Sequence, residues 1–361
     1  MKHIVIIGAG PRGLAVALRA SLYNYKVTIV DDAPMSTWTF PYMLPDMQMR
    51  SPITFDLVTY CPDLKDYSLT SFLNYKVKAD SQEEIEACTT YCRRQDFINY
   101  LTYIIKILKQ RGVVFAKHNA CTITKTEVQC GNLSIPYDYL VVAAGRKVQE
   151  AKRPVYLNDA KLISIADLPE RQWKSKGINV VGSGQQAAEI VNYLCEQKAD
   201  VTWLQKHKPK VSQYPVPSYS EWGVRSALSN YYTVCPNKLS YLTRVKAWAP
   251  SITPYIAERL KTCRYKVLDN PQSTKDINTD YEFILAAGSN NEVELLNFDF
   301  NIDKNLLNPK LPRLTNNFQS TNNPNIFFTG LLAVMCNGPR QGSIISSGDT
   351  AKTILDSINS L

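Results

Sequence analysis

Only three histidines occur in 361 residues, at His3, His118 and His207, and they are far apart in sequence. A histidine-rich metal site and histidine-led acid–base chemistry are therefore poor expectations, and no metal is expected. Cysteine occurs nine times but never as Cys-x-x-Cys, and Cys88 and Cys92 are the closest pair. With an odd count and no secretory signal visible at the N-terminus, reduced thiols and a cytoplasmic location are expected. Apolar runs are short, none reaching the roughly 18 residues of a membrane span, so membrane insertion is not expected. Fifteen glycines and twenty prolines are too few for a low-complexity chain. What is present is enough apolar sequence for two or three packed units and a net charge of +9 that asks for anionic ligands. That charge is spread along the chain without a recognised nucleic-acid module, so nucleic acid is not an expected partner. Homo-oligomerisation is left open.

The chain opens on a β-branched run, Ile4 to Ile7, broken by Gly8-Ala9-Gly10-Pro11-Arg12-Gly13. Leu14 to Leu22 then carries apolar residues at helical spacing, and a second strand, Lys26 to Val30, ends at Asp31-Asp32. The same grammar returns at Ile178 to Val181, followed by Gly182-Ser183-Gly184-Gln185-Gln186-Ala187, a helix from Ala188 to about Gln197 and a strand from Asp200 to Leu204. Two further segments match each other: Tyr137 to Gly145, ending Ala144-Gly145, and Tyr281 to Gly288, ending Ala287-Gly288. Each reads as the strand that closes one glycine-rich unit. Asn325 to Thr329 reads as a strand, Gly330 as a turn, and Gly342-Ser343 as the start of a helix to Ile358. Lys206 to Pro217 reads as a loop, and residues 218–265 as helices without an assigned place. The expected fold is α/β with two dinucleotide-binding, Rossmann-like domains. The first is discontinuous, residues 1–155 and 281–361, with residues 156–280 inserted as the second.

Each part of a G-x-G-x-x-G turn has a physical task. Gly8 makes the turn, Gly10 admits a pyrophosphate close to the backbone, and Gly13 lets helix and strand pack. Asp31 stands at the distance of a carboxylate that accepts hydrogen bonds from both ribose hydroxyls. In the second unit the same offset from the first glycine holds Gln205, followed by Lys206, His207, Lys208 and Lys210. A carboxylate there would repel a ribose 2′-phosphate, whereas amide and ammonium donors would bind it. A solvated basic loop is the alternative for any one lysine, and the missing acid is the firmer part of the argument. The two units therefore read as an FAD site and an NADPH site, with hydride passing from nicotinamide to flavin. Candidate cofactor contacts are residues 8–13, Asp31, Asp32, Ala144, Gly145, Gly330, Gly342 and Ser343, with Gly182 to Gln186, Gln205, Lys206, Lys208, Ala287 and Gly288 in and around the second unit. Disulfide reductases place two nearby cysteines beside the flavin or within the second unit. Here the second glycine-rich βαβ stretch, Ile178 to Leu204, offers Cys195 alone, and Cys88 and Cys92, at i and i+4 if helical, suit buried apolar positions.

Between the two units the sequence resembles the flavin-dependent N-hydroxylating monooxygenases of lysine and ornithine. The resemblance rests on Trp38, Met43-Leu44, Met49-Arg50-Ser51, Asp56-Leu57-Val58-Thr59, Ser71 to Tyr75, Cys92 to Leu101 and Gly182 to Glu189. It implies that NADPH reduces FAD and that a C4a-hydroperoxyflavin oxygenates a small amine, amino acid or other heteroatom nucleophile, O₂ being the co-substrate. Trp38, Met49 and Arg50 would then lie near the flavin. Arg50, where the family often has Gln, would orient nicotinamide or stabilise the anionic reduced flavin; a structural ion pair is the alternative. Three departures bear on the substrate. The chain is short for the family, implying a missing part of the substrate region; Ser164 stands where His is common; and Asn337-Gly338 stands where His-Gly is frequent. The other function considered is an FAD-dependent NAD(P)H reductase that passes electrons to a quinone or protein acceptor without oxygen insertion.

Overall fold

A computed structural model describes residues 1–35, 44, 46–77, 81–118, 122–145, 147–150, 154, 157, 160–211, 251–271, 277–287, 289–292, 296–305 and 308–361. Trp38, Met43 and Gly288 lie outside the described residues.

The first unit begins β1 (His3–Ile7), α1 (Pro11–Ala20) and β2 (Lys26–Val30), then runs through α2 (Leu69–Phe72), α3 (Gln82–Ala87) and α4 (Arg94–Gln110) to β3 (Val114–Ala116). An antiparallel meander of β4 (Thr122–Ile123), β5 (Glu127–Cys130) and β6 (Leu133–Pro136) leads into β7 (Tyr139–Val142), followed by β8 (Lys147–Glu150). The second unit contains β9 (Leu162–Ile163), β10 (Gly177–Val181), α5 (Gln185–Glu196), β11 (Asp200–Gln205), β12 (Lys210–Val211), β13 (Ser251–Ile252), α6 (Pro254–Lys261), β14 (Lys266–Asp269) and β15 (Glu282–Leu285). The chain continues through β16 (Ser289–Glu292), β17 (Ile326–Phe328), α7 (Val334–Asn337) and α8 (Ser347–Ser360).

The two large sheets are built alike. One runs β17-β7-β1-β2-β3 and the other β14-β11-β10-β15-β9, every pairing parallel. In each, the first strand of a βαβ unit sits centrally, between the strand that follows its helix and the closing strand. Parallel strands covered on both faces need apolar side chains throughout. All five residues of β1 and all four of β7 are buried accordingly.

The first sheet draws on both ends of the chain. β17 pairs with β7 in register Ile326↔Leu140 to Phe328↔Val142, and α8 packs on α1. Between the units, β8 and β16 form an antiparallel pair with Ser289 opposite Glu150. The outgoing and returning strands thus make one two-stranded joint.

Several expectations are corrected. β15, which follows the expected division at 280/281, hydrogen-bonds to β10 and completes the second sheet. Both dinucleotide-unit helices start inside their motifs. α1 begins at Pro11, whose fixed φ suits a first helical position, and α5 begins at Gln185 instead of Ala188. The helix expected from Gly342 forms only from Ser347, after two short 3₁₀ turns. Cys88 and Cys92 share no helix: Cys88 terminates α3 in extended backbone, and Cys92 lies on the strand-like stretch before α4. Of residues 218–265, positions 251–265 are described and hold β13 and α6, while 218–250 lie outside the described residues. Among the described residues no helix is long and apolar enough to cross a membrane.

Candidate active site

The candidate residues of the first unit collect at one edge, the carboxyl ends of its parallel strands. Gly8 follows β1, Asp31 follows β2, Ala143 to Gly145 follow β7, and Gly330 follows β17 soon after its last residue. This is where an open parallel sheet binds its ligand, beside the strand at which the order reverses. Gly8 has φ +106°, and a Cβ there would lie 2.4 Å from the carbonyl oxygen of Ala143. Only glycine accommodates both the left-handed backbone and that approach. A Cβ on Gly13 would fall 1.9 Å from the Gly8 carbonyl, so helix and strand meet backbone to backbone. Gly10 differs: nothing lies within 4 Å of its added Cβ.

That open space fits a pyrophosphate. Gly10 is the N-cap of α1, no side chain caps the helix, and no acid stands in its first turn. The N–H groups and positive end of the helix therefore face the space beside Gly10. Asp31 accepts from the Ala9 N–H at 2.5 Å and the Ala33 N–H at 2.8 Å, one on each carboxylate oxygen. Each oxygen keeps a further lone pair for a ribose hydroxyl. Asp32, beside it, is exposed.

Arg12 has another task. Its guanidinium donates to the carbonyls of Gln341 (2.8 Å), Ser343 (2.5 Å) and Ser346 (2.9 Å) and to the Ser346 hydroxyl (2.6 Å). It fastens the C-terminal segment to the glycine turn and directs those donors at protein carbonyls. Nearby, among the described residues, the Thr329 hydroxyl is buried without a partner one residue before Gly330, and the Ser347 hydroxyl likewise at the start of α8.

The second unit repeats the construction. Gly182 has φ +146°, and its added Cβ would lie 2.2 Å from the Ala286 carbonyl oxygen, as Gly8 stands to Ala143. Its N–H bonds Leu204 O at 3.0 Å as that of Gly8 bonds Val30 O at 2.9 Å. α5 also starts from a glycine N-cap, Gly184, without a side-chain cap or an acid in its first turn. The matched small-residue endings noted in the sequence thus receive the first glycine of each turn.

At the end of β11 the chemistry diverges. The Ser183 hydroxyl accepts from the backbone N–H of Lys206 (2.9 Å) and of His207 (3.2 Å), which fixes the basic loop beside the turn. Lys206, His207 and Lys208 are exposed, whereas Gln205 is only 4% exposed. Ala287 is exposed at the same edge, and Ser164 follows β9 there.

Two segments quoted from the sequence meet across the units. Arg94, at the start of α4, makes a bidentate pair with Glu189 on α5: 2.7 Å from Nη1 to Oε2 and 2.6 Å from Nη2 to Oε1. Both side chains are buried, at 9% and 3% exposure. Glu189 Oε1 also accepts from Gln185 Nε2 at 2.7 Å, and the Gln185 amide bonds Thr253 twice. Arg94 lies in the Cys92–Leu101 block and Glu189 in the Gly182–Glu189 block, and Thr253 lies in neither. The signal was two motif blocks of complementary charge, which sequence order alone does not bring together.

Of the described cysteines, Cys61, Cys88, Cys92, Cys130 and Cys336 are buried, and Cys195 and Cys263 half-buried. Burial pushes Cys92 up to about 12 and raises Cys61. Cys195 has a neighbour unseen in the sequence, Cys263 after α6, and burial holds both thiols above their ordinary range, Cys195 at about 12. Cys195 is near the C-terminal end of α5, roughly 15 Å along the helix from the glycine turn at its start.

The profile of the L-lysine 6-monooxygenase/L-ornithine 5-monooxygenase family matches residues 1–215. The chain belongs to this family. No curated protein sequence matches it. Among solved structures, the Kutzneria sp. 744 ornithine N-hydroxylase superposes with a TM-score of 0.74 at 14% identity, covering 100% of this chain and 99% of that one. The cadaverine monooxygenase of the Erwinia amylovora desferrioxamine pathway, solved with FAD, gives 0.73 at 15% identity over 99% and 94%. Reduced ornithine hydroxylase from Pseudomonas aeruginosa gives 0.71 at 14% over 100% and 99%. These likenesses show the shared fold. They run nearly the length of both chains.

Within this monooxygenase the remaining candidates are placed as follows. Met49 is buried and its N–H bonds Cys92 O at 2.8 Å. Arg50 is exposed, and among the described residues it has no ion-pair partner. Asn337 donates through Nδ2 to the carbonyls of Thr315 (3.1 Å) and Asn316 (3.2 Å), tying α7 to a neighbouring loop. Gly342 is exposed and Ser343 half-buried beside Arg12.

Proposed function

We propose that the chain is an NADPH-dependent FAD monooxygenase that oxygenates a small primary amine, an amino acid side chain or a related heteroatom nucleophile. One observation carries the cofactor assignment: two glycine turns of the same construction end in opposite chemistry, a carboxylate at Asp31 and a basic loop at Lys206 to Lys208. The carboxylate suits a ribose with both hydroxyls free, and the basic loop suits a 2′-phosphate. The FAD unit comprises the residues before β8 and after β16, and the NADPH unit those between. Bound FAD supplies hydride acceptance and oxygen activation. The protein's part is to hold the two dinucleotides, Gly10 and the α1 N-terminus at one pyrophosphate and Gly184 and the α5 N-terminus at the other. Met49 and Arg50 are assigned to the flavin side of the site, with Arg50 supplying positive charge. A cytoplasmic, reducing setting is part of this reading and agrees with the buried free thiols.

The test is anaerobic reduction of the FAD-loaded protein by NADPH, followed by O₂ in the presence of cadaverine, ornithine or lysine. One hydroxylamine formed per NADPH supports the reading. Hydrogen peroxide release with every amine, together with rapid electron transfer to an added quinone, would sink it. Lys206→Glu should weaken NADPH binding about tenfold and NADH binding little, roughly 1.4 kcal/mol of lost charge-assisted bonding. Equal losses would remove the basic loop from the site.

A further inference from the structure

We infer that the buried Arg94–Glu189 pair is a positioning device for hydride transfer, holding the second glycine turn at a fixed place relative to the first unit. The inference deepens the function proposed above and rests on it.

The pair is the start of a continuous path. Arg94 donates its backbone N–H to Met47 O at 2.8 Å, and Leu44 and Met47 pack into the core of the second unit. Its guanidinium takes both oxygens of Glu189. Glu189 lies one helical turn after Gln185, accepts from the Gln185 amide at 2.7 Å, and so grips the first residue of α5. Thr253, the N-cap of α6, closes the other side of Gln185, donating its N–H to Oε1 at 2.7 Å and accepting from Nε2 at 3.2 Å. A rigid chain of bonds thus runs from α4, in the FAD unit, to the residue that follows Gly184. Among the described residues, the same bodies are also joined by the β8–β16 ladder and apolar contacts. Apolar contacts are non-directional, whereas a bidentate guanidinium–carboxylate pair fixes angle and register. Hydride transfer needs the donor and acceptor carbons held within a few tenths of an ångström of a productive distance, so it is sensitive to that register.

A purely structural pair and a positioning pair differ when both members are replaced by apolar residues. Such a replacement removes the buried charges together and leaves stability near that of the wild type. The test is therefore Arg94→Met/Glu189→Leu, loaded with FAD. We expect FAD content and thermal midpoint to stay close to wild type and NADP⁺ affinity by calorimetry to stay within threefold. The rate of flavin reduction at saturating NADPH should fall at least tenfold, and amide hydrogen exchange over the first turn of α5, measured without nicotinamide, should rise at least tenfold. Reduction as fast as wild type, or a loss of NADP⁺ affinity as large as the loss of rate, would overturn the inference. Should the double variant fail to fold, Arg94→Lys gives the same reading: slower reduction at unchanged affinity supports it, and unchanged reduction overturns it. Failure of the proposed function is distinguishable, because then the wild type itself would not be reduced by NADPH.

Discussion

At the scale of single residues, the glycines of the first motif separate binding from folding. Gly10 has φ −77°, ordinary for any residue, and a Cβ there meets no protein atom. Gly10→Ala should therefore leave the apoprotein's unfolding midpoint unchanged and weaken FAD at least tenfold, read by flavin content after gel filtration. A variant that retained its flavin would show that the open space beside Gly10 is not the pyrophosphate seat. Asp56 poses a different residue-scale question. Its carboxyl is 2% exposed and accepts from the N–H groups of Val58 (2.8 Å) and Leu69 (2.7 Å), pinning the turn before α2. Burial raises it to about 6, with those hydrogen bonds opposing the shift. The folded value lies above the unfolded one, so this group's contribution to stability is full below about pH 4 and lost as pH rises through 6. Between pH 7.5 and pH 5 the wild type should gain about 1.4 kcal/mol from this site. Asp56→Asn lacks that gain and leaves one N–H facing an amide NH₂, a cost of about 1–3 kcal/mol. Urea midpoints at the two pH values should therefore separate more at pH 5, and a constant separation would contradict the assigned titration.

At the scale of elements, the chain's helices are positioned by what they approach. α8 comes so close to the 58–61 turn that a Cβ on Gly348 would lie 2.4 Å from Thr59 O and 3.0 Å from Cys61 Sγ. The obstacle is backbone, so Gly348→Ala must push the helix outward. About 1–3 kcal/mol of stability should be lost, as for other overpacked cores, with flavin affinity falling alongside. A midpoint within a degree of wild type would show that α8 yields without cost. Both βαβ units were legible in the sequence because a strand, a glycine turn and a helix are local, and the periodicity of Ile4 to Val30 and Ile178 to Leu204 carries them. The closing strands were legible for the same reason, each an apolar run ending in two alanines. What was not legible came from long-range contact. The partnership of Arg94 with Glu189, and of Cys195 with Cys263, depends on which helices pack together. The helix starts were placed late because apolar spacing marks where a helix is buried, whereas Gly10, Pro11 and Gly184 mark where it begins.

At the scale of the whole molecule, the chain ends are joined through one guanidinium. Arg12 stands in the first turn of α1, and its bonds reach the carbonyls of Gln341, Ser343 and Ser346 and the hydroxyl of Ser346, the segment that leads into α8. That segment follows β17, which supplies the edge strand of the first sheet. The first unit is therefore complete only when the last forty residues or so return to the first twenty, and Arg12 is where the return is fastened. Arg12→Lys keeps the charge but replaces a planar fork by a point donor, which cannot reach three carbonyls on different residues at once. At least one of those carbonyls would be left unpaired in a half-buried place, at a cost of about 1–3 kcal/mol. That cost falls on the docking of the C-terminal segment more than on the second unit, whose sheet contains no residue from it. Limited proteolysis should therefore cut Arg12→Lys faster between Phe328 and Ser347, and FAD, bound at the first unit as proposed, should protect it. NADP⁺ affinity measured by calorimetry should stay within threefold of wild type. Equal protease resistance with and without the substitution would show that β17 and α8 hold the chain end unaided; a parallel loss of NADP⁺ binding would show that the two units do not respond separately.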